Sequence, residues 1–244
     1  MTTLFVFFRD NIPSFHEIAL GFGPFLFWAA LCLWLAGTLK KRAGLKTGYS
    51  RKIFHFAIFS SAAAVQALWG IRILCLFGGA VSLVIFYALL RGEGHLLFEA
   101  VARESDAPRR RYYVIVPYIA TLAGGITANA FWGDYALIGY LVTGLGDAVG
   151  EPVGVRFGRH PYRVPAAGVD AIRTLEGSFA VFTASFFSIL LGLALMPGLN
   201  PVSVGLPAVL LLAAGATLLE AVAPHGWDNA LLQAVTAALA ALLF

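Results

Sequence analysis

Asp147 and Glu151 stand four residues apart near the end of an apolar run, so on a helix they project from one face. Two like charges that close repel each other in a low dielectric, and the usual resolutions are a shared proton or a bound cation. Oxygen ligands without a Cys or His cluster beside them point to Mg²⁺, held by one or two carboxylates together with the phosphates of a substrate. The plainer alternative is a pair of interfacial acids bridged to Arg156 or another basic side chain.

Three further groups share this character. Gly146, Gly150, Gly154 and Gly158 recur every four residues beside the acids. Such a stripe either lets two membrane helices approach closely or bares backbone N–H groups to an anion; Gly158, flanked by Arg156 and Arg159, is expected to meet phosphate. Arg173-Thr174-Leu175-Glu176-Gly177 immediately precedes another apolar run, which makes Thr174 the expected N-cap and the arginine-flanked helix terminus an anion site. Arg51, Lys52 and His55 open an earlier apolar run, with Arg51 and His55 one turn apart. They serve either as topology signals or in phosphate binding and proton handling. Glu220 ends a further apolar run, and Asp228-Asn229 begin the last, with Pro224-His225-Gly226-Trp227 between them. Asp228 has a ready role as an N-cap, whereas Glu220 has none.

The elements that must carry these residues are membrane helices. The chain has 244 residues, 59% of them hydrophobic and only 12% charged, with a mean hydropathy of +0.81; a soluble domain needs roughly a quarter charged residues. Eight apolar segments are expected, at about 18–39, 53–69, 71–90, 112–129, 134–155, 177–196, 203–222 and 228–244. The fold class expected is an all-α polytopic helical bundle, with residues 1–17 as a surface segment and 18–244 as one membrane catalytic domain.

Of the 17 Lys and Arg, all but Arg9 and Arg72 fall in three loops: 40–52, 91–111 and 156–173. The intervening connections are short and nearly uncharged. The positive-inside rule then puts the N-terminus outside and every polar group above on the cytoplasmic face. The net charge of +4 is thus a topology signal, and no nucleic-acid partner is expected. Cys32 and Cys75 lie in separate apolar segments and are read as packing residues. The N-terminus lacks the basic region and small-residue site of a cleaved signal peptide.

Taken in order, RKIFH at Arg51–His55, GDAVGEPVGVRFGR at Gly146–Arg159, RTLEGS at Arg173–Ser178, and the ending from Glu220 to Asp228-Asn229 resemble the CTP-dependent lipid kinases: dolichol kinase, phytol kinase and the yeast-type diacylglycerol kinase. The resemblance covers most of the chain from the second segment onward. It implies transfer of the γ-phosphate of CTP, with Mg²⁺, to the hydroxyl of a membrane isoprenoid alcohol of the phytol or polyprenol type, or of diacylglycerol.

Carried onto these positions, it implies that Asp147 engages Mg²⁺ or the nucleotide, while Gly158-Arg159 and Arg173-Thr174-Glu176-Gly177 hold the CTP phosphates. Glu220, Asp228 and Asn229 match the closing motif, and His55 the early histidine. Metal ligands are therefore expected among Asp147, Glu151, Glu176, Glu220 and Asp228. Orientation or deprotonation of the alcohol is expected from Asp228, Glu176 or His55. The expected nucleotide contacts are Arg51, Lys52, Gly146, Gly150, Arg156, Gly158, Arg159, Arg173, Thr174, Gly177 and Asn229. Glu151-Pro152 and the arginines at 159 and 173 depart from the usual pattern of small or apolar residues and of lysines.

Two rival readings stand beside this one. A CDP-diacylglycerol synthase-like cytidylyltransferase also uses CTP, a lipid and Mg²⁺. It ordinarily ends in a Lys-Asp signature, whereas no Lys follows Lys52 here. A transporter would spread its charges through the membrane depth, whereas this sequence gathers them near segment ends on one side.

Overall fold

The computed structural model of the protein describes residues 3–166, 169–196, 199, 201–224 and 226–244, with side chains described outside 165–171. It is 84% helical, which matches the hydropathy of the chain. Among the described residues four helical runs are long and apolar enough to cross a bilayer: Phe15–Ala43, Thr47–Arg91, Tyr112–Phe157 and Leu175–Leu195. Leu206–Val222 and Asp228–Leu243 are shorter apolar helices. The chain divides into two compact units, Met1–Ile115 and Val116–Phe244.

The first unit begins with the short helix α1 (Thr3–Asp10), on which Phe5 and Phe8 are exposed. A capping box then starts α2 (Phe15–Ala43): Ser14 Oγ accepts from the Glu17 amide, and Glu17 accepts from the Ser14 amide. Gly44, in the left-handed region at φ 62°, ends it. Next comes α3 (Thr47–Arg91), which absorbs two of the expected segments into one run. Gly70 interrupts it with φ 77° and ψ −178°, a conformation open to a residue without Cβ. The break falls where the sequence places the connection between segments.

Polar ties hold the first unit beyond its apolar packing. Within it, Trp28 Nε1 donates to Ser61 Oγ at 2.9 Å, joining α2 to α3. The short helix α4 (Leu96–Val101) crosses α2 so closely that a Cβ on Gly37 would lie 2.7 Å from the Leu96 carbonyl oxygen. The basic loop around α4 is clasped by ion pairs: Arg110 makes a forked bond to Glu99 at 3.1 and 2.6 Å, and Lys40 bonds both the Glu99 carbonyl and the Glu104 carboxylate. Arg110 holds the Glu99 carboxyl below its ordinary range.

Partial burial works to raise the Glu104 pKa, but the hydrogen bonds from Lys40 and Thr47 outweigh it and lower the value from 4.5 to about 2. A carboxyl depressed in the folded state contributes stability that is complete above 4.5 and is lost as the pH falls through about 2. Glu104→Gln should therefore lower the thermal midpoint at neutral pH, with the gap to the wild type closing as the pH falls through that window. Thermal unfolding across a pH series checks this.

The second unit holds α5 beyond residue 115 (α5 is Tyr112–Trp132), α6 (Ala136–Leu141), a π-helical turn at Val142–Asp147 and α7 (Ala148–Phe157). Strands β1 (Pro161–Ala166) and β2 (Val169–Thr174) follow, then α8 (Leu175–Leu195), α9 (Pro201–Val204), α10 (Leu206–Val222) and α11 (Asp228–Leu243). Its apolar core is formed by Ile138, Val142, Ile189, Leu193, Leu212 and Leu232, each nearly inaccessible. A polar seam joins α5, α6 and α11, where Asn129 donates to Tyr140 Oη at 2.7 Å and Asn229 donates to Thr121 Oγ1 at 2.8 Å.

The helical architecture expected from the sequence is interrupted between α7 and α8 by a short two-stranded element. The basic segment there, read from the sequence as a loop, forms an antiparallel hairpin in which Pro161 pairs with Thr174 and Val164 with Ala171. Its backbone groups are satisfied by each other rather than by helix. The hairpin delivers Arg173 and Thr174 to the start of α8.

Candidate functional site

Asp147 closes the π-helical turn and is 6% exposed. A π turn inserts an extra residue into a helix, shifting the face on which everything after it projects, and such turns often mark functional positions. The turn is not among the expectations drawn from the sequence. Its signals are the weak helix formers Gly144 and Gly146 within a run that also buries Thr143 and Asp147. Pro152 lies in the second turn of α7 and does not end the helix, which continues to Phe157. Glu151 follows Asp147 by one turn on the same face.

All four glycines of the stripe are accounted for by packing of α7 against α8 and the chain leading into it. A Cβ on Gly146 would meet Ser185 Oγ at 2.5 Å, and one on Gly150 would meet Val181 at 2.6 Å. On Gly154 it would lie 3.0 Å from Thr174 Oγ1, and on Gly158 2.6 Å from the Thr174 methyl. From Gly146 to Gly154 the glycine numbers rise by four while the partner numbers fall from 185 to 174, as expected of antiparallel segments in close contact, whereas Gly158 also lies against the Gly154 carbonyl of its own helix. Gly177 completes the seam: its Cβ position lies 3.0 Å from the Gly150 carbonyl.

Thr174 is the N-cap of α8, its Oγ1 accepting from the Gly177 amide at 3.1 Å. Glu176, in the first turn, is engaged by His160, whose Nδ1 lies 2.6 Å from Oε1. His160 was not singled out from the sequence, and its only signal is its place between Arg159 and the start of β1. The Tyr162 hydroxyl bonds Ser178, tying the hairpin to the same turn.

Arg173 reaches from β2 to the end of α10. Its Nη1 lies 3.0 Å from Glu220 Oε1, and its Nη2 donates to the Glu220 carbonyl at 3.2 Å. Glu220 is buried, with its side chain 7% exposed, and this pair supplies a reason for an acid at the end of an apolar helix. Arg173 Nε is buried and has no hydrogen-bond partner among the described residues, so one N–H of the guanidinium remains to be satisfied.

These groups enclose a pocket of about 190 Å³. Its lining includes Gly150, Glu151, Arg173, Thr174, Gly177 and Glu220, and also Ser178, which the sequence analysis did not anticipate as a site residue. Two carboxylates, a guanidinium and the opening turn of α8 thus line one space.

The remaining sequence-predicted residues fall elsewhere. Arg156 and Arg159 are exposed, Arg156 stacking on Phe157 with 5.5 Å from its guanidinium carbon to the ring centroid. Asp228 opens α11 with its carboxylate bonded to the Asn229 amide, while Trp227 holds the N-cap position expected of Asp228. The Asn229 side chain belongs to the polar seam with Thr121. His225 lies outside the described residues. Arg51, Lys52 and His55 sit on the opening turns of α3 in the first unit, where Lys52 is buried and His55 packs on Phe59 with 4.5 Å between ring centroids.

Among the described residues no three His, Cys, Asp or Glu side chains converge as a self-sufficient metal cage. Glu151 and Glu220 both line the pocket, and carboxylates are the ligand type that Mg²⁺ takes, one or two at a time, with water and phosphate oxygens completing its shell.

Comparison of the chain with protein-family models, with curated proteins and with solved structures finds no match.

Proposed function

We propose that this protein is a CTP-dependent lipid kinase that transfers a γ-phosphoryl group to the hydroxyl of a membrane alcohol, either an isoprenoid of the phytol or polyprenol type or diacylglycerol. The observation that carries the reading is the pocket in which Arg173, Glu151, Glu220 and the Thr174-capped start of α8 face one another within a strongly apolar chain. Phosphoryl transfer depends mainly on positioning and on neutralising charge on the transferred group, and these residue types supply both.

Within this reading Arg173, which lines the pocket, binds the phosphates of the nucleotide, and the first-turn amides of α8 add their dipole. Glu151 and Glu220, with Asp147 one turn before Glu151, are the acids that would hold Mg²⁺, which would draw charge from the phosphate oxygens. The acceptor oxygen bonds to the γ-phosphorus as the bond from that phosphorus to the bridging oxygen breaks and CDP leaves with that oxygen, while the hydroxyl proton passes to a basic side chain of the site or to water. The proposed topology has eight crossings, each corresponding to an apolar segment of the sequence. The N-terminus is outside and the pocket is on the cytoplasmic face, where nucleotide arrives from water and alcohol from the bilayer.

An acceptor and donor screen tests the proposal. Purified protein with Mg²⁺ should phosphorylate at least one of phytol, farnesol, a polyprenol or diacylglycerol from CTP. Movement of a solute across proteoliposomes without any nucleotide turnover would sink it.

A further inference from the structure

We infer that the end of α3 and the loop before α5 form a second phosphate site, separate in sequence and in residues from the proposed catalytic pocket, that holds the headgroup of an anionic membrane lipid. Within the first unit an open pocket of about 620 Å³ is lined by Arg91, Glu93, Pro108, Arg109, Arg111 and Tyr112. Three guanidinium groups against one carboxylate leave it strongly positive. A volume of this size accommodates a phosphodiester headgroup.

The contrast within the run Arg109-Arg110-Arg111 carries the inference. Arg110 is neutralised by Glu99 and bonded to the Ala102 and Arg103 carbonyls, so its charge is consumed by the fold. Arg109 and Arg111, on either side, are exposed; neither they nor Arg91 is in an ion pair among the described residues. Arg111 is also held close to the turn: a Cβ on Gly92, which sits at φ 68°, would lie 2.6 Å from an Arg111 terminal nitrogen. Three arginines brought together with only the Glu93 carboxylate among them keep a net repulsion, and a bound anion relieves it with forked, charge-assisted bonds.

The surroundings select a lipid as the source of the phosphate. Arg91 ends α3 and lies over the Tyr87 ring at 5.9 Å, and Phe86, Leu90 and Tyr112 beside it are 57%, 66% and 54% exposed. An arginine cluster directly above exposed aromatic and aliphatic side chains, at the end of a helix long and apolar enough to cross a bilayer, matches the headgroup and upper acyl chain of a lipid. A soluble phosphate has no use for the apolar flank.

Native mass spectrometry of the full chain in detergent, titrated with dioleoylphosphatidylglycerol and separately with dioleoylphosphatidylcholine, tests the site. The wild type should hold the anionic lipid preferentially. Arg109→Gln/Arg111→Gln should weaken that binding by roughly tenfold or more beyond the charge-matched control Lys41→Gln/Arg42→Gln, because specific hydrogen bonds are lost as well as charge. Should the double variant not fold, Arg91→Gln reads the same pocket and should also weaken binding more than the control. Equal losses in pocket and control variants would show only a general surface field and overturn the inference. Full displacement of the lipid by millimolar inorganic phosphate would also overturn it, by assigning the pocket to a soluble anion.

Discussion

Asp147→Asn is expected to reduce phosphoryl transfer by roughly 10³-fold while the protein still inserts and elutes as the wild type does. The substitution keeps the shape of a side chain that is 6% exposed and removes only the charge. Its place at the exit of the π-helical turn means that this charge is held on a backbone distortion rather than on a regular helix. A simple structural acid has no need of such a turn, whereas one aimed toward a metal or nucleotide gains its direction from it. Asp147→Ala adds a cavity and should lose stability as well, so the asparagine variant is the sharper probe. Activity assayed with CTP and the best acceptor, beside a thermal midpoint in detergent, separates the two effects. Wild-type turnover in Asp147→Asn would remove this residue from the chemistry.

The second large effect concerns Arg173 and Glu220. Arg173→Met removes the cation 3.0 Å from a carboxylate that is 7% exposed, and should cost about 3 kcal/mol of stability. Glu220→Leu should cost less, because the Arg173 side chain, 32% exposed, retains access to solvent. Combining the two should recover most of the lost stability, since an apolar pair of similar size replaces both charges together. Activity should not follow stability: all three variants should lose about 10²-fold or more if Arg173 binds phosphate and Glu220 contributes to the metal site. A double variant that regained turnover along with its melting temperature would reduce the pair to a structural tie.

Much of this architecture can be read from composition and hydropathy. Each of the eight apolar segments corresponds to helix in the structure, because runs of apolar residues of that length bury their backbone groups most simply by helical hydrogen bonding. The connections were less legible. Gly70 reads as a loop yet serves as a one-residue break inside α3, and nothing in hydropathy separates a break from a loop. The hairpin at 161–174 was not legible because its strands are six residues long and carry Pro and Arg, and among the described side chains the alternation shows as Arg163 exposed beside Val164 buried.

The candidate site was legible in its residue types more than in its geometry. Arg173, Thr174, Glu151 and Glu220 were singled out by charge or capping potential at helix ends, and the structure gathers them around one pocket. The direct pairing of Arg173 with Glu220 joins residues 47 positions apart, a relation that spacing along the chain does not encode. The glycines show the opposite case. Recurrence every four residues was visible, but whether that bare face meets a phosphate or another helix depends on what lies opposite. There the structure puts Ser185, Val181 and Thr174.

The most direct measurement of the central claim follows the label. Purified protein with Mg²⁺ and a long-chain alcohol is given CTP labelled at either the γ- or the α-phosphate, and the extracted lipid is counted. A lipid kinase transfers the γ-label alone. Label from the α-phosphate in the lipid would assign a cytidylyltransferase instead, and no label from either would contradict the proposed activity altogether.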